Sequence, residues 1–210
     1  MVSPQSLLSF LSCRLLAGAG LILLATACQT PPPVVVNGAF TPTPAFATRS
    51  PANVAVLPVE DGTQNGGAGR HLVFMRQEVM RQIVDRLYAP LTPNAVDEAL
   101  RSAQKPAPGE SVLAPANMQK MAGHAHEDAI FAVRVDRWDE GRIATDNKVS
   151  FQFQAALVGS DGVPLWSGTL QGEVKAGGAG PAPLDRDGKA RSCATLAIHE
   201  LLQRLPKRTL

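Results

Sequence analysis

The sequence predicts an α/β (α+β) domain: a mixed β-sheet with parallel N-terminal strands and a C-terminal antiparallel meander, flanked by helices. Three observations predict it. Asn53–Val59 (NVAVLPV) is apolar on both alternating faces, as a strand covered on both sides must be. Arg70–Leu87 then carries apolar residues at helical spacing. Further along, the period changes to two over 129–138, 148–158 and 163–174, and a final helical pattern closes the chain at 189–205.

The chain begins with a segment of different character. Residues 1–14 carry one charge, Arg14, and Leu15–Leu24 reads LLAGAGLILL. Ten apolar residues are too few to span a bilayer, which needs about 20, but they suit the apolar core of a signal peptide. Residues 1–27 are therefore expected to be a signal peptide. Small residues follow, then Cys28. This stretch resembles the lipobox of bacterial lipoproteins, with Ala27 and Cys28 in place and Ala25 where Leu is usual. The resemblance implies that Cys28 carries lipid, palmitate included. Gln29 is not the Asp that retains such proteins at the inner membrane, which favours the periplasmic face of the outer membrane. The alternative is an ordinary signal peptide cut after Ala25-Thr26-Ala27.

Residues 28–52 are expected to form the lipid anchor and a proline-rich tether. Prolines at 31, 32, 33, 42, 44 and 51 oppose helices and sheet ladders. At about 3.1 Å per residue, such a tether reaches on the order of 70 Å. Residues 53–210 are then a single globular domain, long enough for a real core.

Within that domain, Glu60–Gly69 is polar and glycine-rich, and reads as a loop between strand and helix. It lacks both GxGxxG and a P-loop's Lys and hydroxyl, so it does not read as a phosphate cradle. In the helix after it, Leu72, Met75, Val79, Ile83 and Leu87 form the apolar stripe, widened by Val73, Met80 and Val84. Tyr88–Leu91 reads as a short strand. A helix opens near Asn94 with Ala95, Ala99 and Leu100 on its face, and another spans 115–125 with Met118, Met121 and Ala122. In the first strand of the meander, Phe131, Val133 and Val135 share a face. Val149, Phe151, Phe153, Ala155 and Leu157 line the inner face of the second, and Gly159–Gly162 is its hairpin turn. In the last helix Cys193 lies on the apolar side, as a packed small residue would.

Composition narrows the function. A formal net charge of +2 points to neither nucleic acid nor an anionic surface. The three cysteines are Cys13, Cys28 and Cys193. With Cys13 in the leader and Cys28 lipidated, no internal disulfide can form. His124 and His126, beside Glu127 and Asp128, are the densest ligand-like group, yet residues two apart share a face only in extended chain and no further ligands accompany them. Cys193 and His199 fall on different helix faces, and Ser167 has no GxSxG setting. No enzyme constellation is found, and no cofactor is expected.

Taken together, the order lipobox, linker, NVAVLPVEDGT, helix, YAPLTP, helix, AHEDAIFAVRVDRW, alternating strand, DGVPLWSG and last helix resembles the bacterial envelope lipoproteins whose domain is like the N-terminal domain of TolB. LpoB, an activator of penicillin-binding proteins, and the curli secretion lipoprotein CsgG are members. The resemblance implies a mixed sheet backed by helices, no catalysis, and action through protein contacts in cell-envelope assembly or maintenance. Two alternatives stand beside it: an auxiliary lipoprotein subunit of an envelope transport or export system, and a metal-binding protein or hydrolase using His124 and His126. The expected interaction surface is the loop with Glu60, Asp61, Asn65 and Arg70. The expected partners are the membrane, through lipid, and another envelope protein.

Overall fold

Seven strands in a single sheet order the domain, in the computed structural model that describes residues 34–103, 106–107, 109–177 and 185–209. In chain order the elements are β1 (Val34–Pro42), α1 (Pro44–Thr48), β2 (Asn53–Val56), β3 (Glu60–Asp61), α2 (Leu72–Ile83), β4 (Ala89–Pro90), α3 (Pro93–Ser102), α4 (Pro115–Met121), β5 (Ala129–Asp139), β6 (Lys148–Gly159), β7 (Pro164–Lys175) and α5 (Arg186–Gln203). The strand order is β1-β7-β6-β5-β2-β4, with β3 also pairing β5. Strands β2, β3, β4 and β5 run parallel where they pair, and β5-β6-β7 is an antiparallel meander. The expected fold class is what the structure shows.

One face of the sheet packs on α2 and α5. Val54, Val56, Phe131, Val133, Phe153, Leu157 and Trp166 meet Met75, Val79, Ile83, Cys193, Ala197 and Leu201 there, all buried. The other face carries a smaller core, in which Ala55, Leu57, Ile130 and Ala132 meet Val96, Met118 and Met121 of α3 and α4. This two-sided cover is why β2 reads as an unbroken apolar run. Past it, α3 buries Val96 where Ala95 was expected, and Ala95 is exposed. The stripe is narrower and shorter than expected, for Val73 on α2, and Val84 and Leu87 just beyond its end, are exposed.

The tether expected over 28–52 is corrected from residue 34 onward. Val34–Pro42 is a nine-residue edge strand, paired antiparallel with β7 from Val34↔Val174 to Pro42↔Trp166. Prolines did not prevent this, because they bracket the strand: Pro42 ends it, and an edge strand needs donors on one side only. Val34, Val36 and Phe40 pack on the main core, Phe40 stacking on Trp166 at 6.0 Å between ring centres. Two glycines of β7 make room. A β-carbon on Gly172 would come within 2.1 Å of the Val35 carbonyl oxygen, and one on Gly168 within 2.4 Å of the Phe40 ring. The globular unit therefore begins some nineteen residues before the expected boundary at 53. The leader 1–27, Cys28 and residues 29–33 lie outside the described residues.

The chain also closes on itself at its other end. Arg86 donates to the Leu205 carbonyl through Nε and Nη2 at 2.9 and 2.6 Å, and Tyr88 Oη donates to the Pro206 carbonyl at 2.8 Å. Ser50 Oγ donates to the Thr209 carbonyl at 2.9 Å.

Candidate functional site: the loop cleft at the ends of the parallel strands

In a parallel sheet, connections that leave the carboxyl ends of the strands form a crevice where ligands and partners are commonly received. Here β3 runs out beside β5, so residues 62–69 and the β5–β6 turn come together at that end. Between them lies an open cleft of about 580 Å³, lined by Thr63, Asn65, Arg70, Trp138, Glu140 and Arg186 among others.

A bulge in β5 between Val135 and Arg137 sets up this arrangement. It shifts the alternation, so that Trp138 joins the α2–α5 core while Asp136 pairs with Arg134, its Oδ1 2.8 Å from the guanidinium Nε. Trp138 lies parallel to Phe153 at 6.4 Å. Its indole Nε1 then donates to Glu140 Oε1 at 3.0 Å. The Glu140 side chain is only 7% exposed and is the hub of the site. His71 Nε2 lies 2.7 Å from Oε1, Arg70 pairs with Oε2, and Arg186 Nε stands 3.4 Å from Oε2. Burial pushes the Glu140 carboxyl upward, but the bonds from Trp138 and His71 and the charge of Arg70 outweigh it and leave the pKa below the ordinary value. The hub is therefore a carboxylate at neutral pH. Its acceptor positions are taken by side chains from the 69–71 turn that leads into α2, from β5 and from α5, which ties the three together. Beside it, the Gly141 N–H and Arg137 hold Asp139 below the usual carboxylate range.

The glycine-rich loop is internally braced. Asp61 Oδ1 accepts from the Thr63 N–H at 2.9 Å and from its hydroxyl at 2.5 Å. Thr63 Oγ1 accepts in turn from the Gly67 N–H at 2.7 Å. These contacts hold residues 61–67 in a fixed shape.

The four residues expected at an interaction surface are not all on it. Asn65 and Arg70 are exposed at the cleft. Asp61 is half-buried and spent on the loop's own turn. Glu60 is turned to the other face, where its carboxylate accepts from Ser111 Oγ and the Val112 N–H, both at 2.9 Å, with Arg134 at 3.5 Å. Sequence reasoning did not bring Glu140, His71 and Arg186 together. His71 and Glu140 stand far apart in the chain, and a buried His followed by no motif gives no local signal; the bulge that aims Trp138 has none either.

His124 and His126 sit at the opposite end of the sheet, in the turn before β5, and both are exposed. His124 Nε2 lies 3.1 Å from the Lys120 carbonyl, and His126 has a left-handed backbone with φ of 56°. Their acidic neighbours are engaged locally. Glu127 accepts from the Gly123 and Ala125 N–H groups, at 2.5 and 2.8 Å, and Asp128 Oδ2 from those of Ala52 and Asn53, at 2.9 and 2.8 Å. Among the described residues no group of three or more His, Cys, Asp or Glu side chains is placed to hold a metal ion. Cys193 is fully buried, with Sγ 3.6 Å from the Val174 carbonyl, and burial pushes its thiol up to about 12.

No protein-family model matches the chain, and no curated protein matches its sequence. Solved structures do. The PelC dodecamer of Paraburkholderia phytofirmans aligns at 16% identity and TM-score 0.48, over 83% of this chain and 100% of that one. Lipoprotein GNA1162 of Neisseria meningitidis aligns at 18% identity and TM-score 0.39, over 58% and 84%. The LpoB C-terminal domain of Salmonella enterica aligns at 14% identity and TM-score 0.37, over 59% and 82%. The neighbours thus include LpoB, which the sequence resemblance named. Similarity at this level concerns the path of the chain.

Proposed function

We propose that this chain is a non-enzymatic envelope lipoprotein, anchored through lipid on Cys28 at the periplasmic face of the outer membrane, which acts by holding another envelope protein against the cleft around Asn65, Arg70 and Trp138. The observation that carries the reading is the run Leu15–Leu24 followed by small residues and Cys28, with the cysteine at the position where lipidation requires it. Each acyl methylene buried in the bilayer contributes about 0.8 kcal/mol, so two or three chains anchor a protein stably where one does not.

The make-up of the cleft supports action by contact. The buried acid and imidazole that a hydrolase would leave free, Glu140 and His71, are bonded to each other and to their neighbours. What the cleft offers outward is a braced loop and the exposed heads of Arg70, Arg137 and Arg186.

Crosslinking in intact envelopes, from a photoreactive residue at position 65, tests this. A discrete protein adduct, lost on Arg70→Glu and retained on His124→Ala, is the expected result. Absence of any adduct across several growth conditions overturns the contact reading. Cys28→Ala should move the protein from the membrane to the soluble fraction; persistence in the membrane overturns the anchor.

A further inference from the structure

We infer that the domain is not held out on a tether but sits directly against the bilayer, with the carboxyl end of the parallel strands, and so the loop cleft, turned toward the lipid. The inference rests on the lipidation of Cys28 proposed above and goes beyond it.

The argument is one of chain length and strand direction. Because Val34 is already the first residue of β1, only five residues separate it from Cys28. An extended chain advances at most about 3.6 Å per residue, so the lipidated residue lies within roughly 22 Å of the start of the sheet. That is far less than the reach of the expected tether. It is also less than the length of the sheet, because the 12 residues of β7 span about 36 Å.

Which end of the sheet receives this leash follows from the register. Val34 pairs with Val174, and Lys148 with Lys175. The β5–β6 turn and the end of β7 are therefore at Val34's end. Strand β5 also finishes there, since Asp139 pairs with Ser150, and β3 runs alongside β5 in the same direction. The loop 62–69, Glu140 and Arg186 thus share the end at which the leash enters. The turn at 160–163, helix α1, His124, His126 and the C-terminal segment occupy the far end, near Pro42 and Pro164. A leash of this length keeps the near end at the bilayer and the far end away from it.

The consequence for the partner is specific. A protein that reaches Asn65 and Arg70 must do so within a few tens of ångströms of the lipid surface. A protein embedded in, or anchored to, the same membrane meets that requirement.

Energy transfer to the bilayer tests this with the full-length lipidated protein. A dye is placed at Gly177→Cys, where a side chain meets nothing within 4 Å, or at exposed Ser160→Cys on the far turn. The protein is reconstituted into phosphatidylcholine–phosphatidylethanolamine vesicles carrying acceptor headgroups. Cys193 is buried and does not compete for the dye. Transfer from position 177 should exceed that from 160 by at least about two-fold, given the separation of the two ends. Inserting about twenty Gly and Ser residues after Gln29 should erase the difference, because such a linker moves freely. Equal transfer from both positions, or the reverse order, overturns the orientation. A difference that survives the insertion overturns the leash as its cause. Flotation of the wild type with vesicles, lost on Cys28→Ala, reports on lipidation separately, so a failed anchor is told apart from a failed orientation.

Discussion

Replacing Gly172 by Ala is a direct test of whether residues 34–42 belong to the folded domain. The added methyl would stand 2.1 Å from the Val35 carbonyl oxygen and 2.9 Å from the Val36 α-carbon. Both are backbone atoms, so no rotamer change relieves the clash. Either the two strands part locally, or β1 leaves the sheet. Strain of this kind typically costs about 1–3 kcal/mol. Holding β1 in place are the ladder with β7, the partial burial of Val34, Val36 and Phe40, and the Phe40–Trp166 stack, the last contributing about 0.5–1.5 kcal/mol beyond burial. The two sides are of similar size, so the strand should fray before the rest unfolds. A loss of about 1–3 kcal/mol lowers Tm by roughly 3–10 °C in a domain of this length. Amide exchange is the sharper assay, because protection should fall across 35–41 and persist in β5 and β6. Gly177→Ala, whose methyl meets nothing within 4 Å, is the control and should be neutral. Unchanged protection of 35–41 in Gly172→Ala would refute the packing described for β1.

Three further outcomes are expected. Glu140→Gln removes the charge that gathers Trp138, His71 and Arg70 and should cost about 2–3 kcal/mol, a fall of roughly 5–10 °C in Tm. Because the folded pKa of Glu140 lies below its ordinary 4.5, that stability is present above pH 4.5 and is lost as pH falls through the folded value. The gap between wild type and variant should therefore close on acidification, and a gap that widens would contradict the hub. Tyr88 is the chain's one tyrosine, and burial pushes its hydroxyl up to about 12 from 10, so its contribution to stability holds below pH 10 and is lost as pH rises through the folded value. Its absorbance should show no phenolate at pH 10 while the circular dichroism remains native; half-ionisation there would be inconsistent with the buried bond to Pro206. Cys193, similarly raised to about 12, should react with a thiol reagent no faster than global unfolding in a chain without residues 1–27 and with Cys28→Ala.

The legible parts of the fold were those with a strong period. The alternation from Val149 to Leu157 marks β6, because β6 buries one face, and the unbroken apolar run that opens β5 marks a strand covered on both. Strand β1 carried no such signal. Its residues alternate only from half-buried to exposed, and Asn37, Gly38 and the bracketing prolines weigh against a strand when read locally. What makes it a strand is β7, whose glycines and Trp166 accept Phe40 from across the fold, information that no window of sequence contains. The site divided in the same way. The loop 60–69 stood out by composition, yet Glu60 belongs to the opposite face, and the hub Glu140 is positioned by a bulge and by a parallel pairing. Pairings between distant segments decide both, and only the folded chain displays them.

The pairing of β1 with β7 also governs the order in which the domain can be built. β1 is the first strand to enter the fold along the chain, and β7 is the last to be made. Whenever the polypeptide is delivered amino end first, its leading strand has nowhere to dock until nearly all of the rest has followed. The loop this contact closes is nearly the whole domain, and contacts of such long range form late and slow folding. An unpaired, partly apolar strand is meanwhile open to other chains. The seam that draws residues 34–42 into the domain is thus also among its longest-range contacts, and on amino-first delivery it is the one that waits longest for its partner.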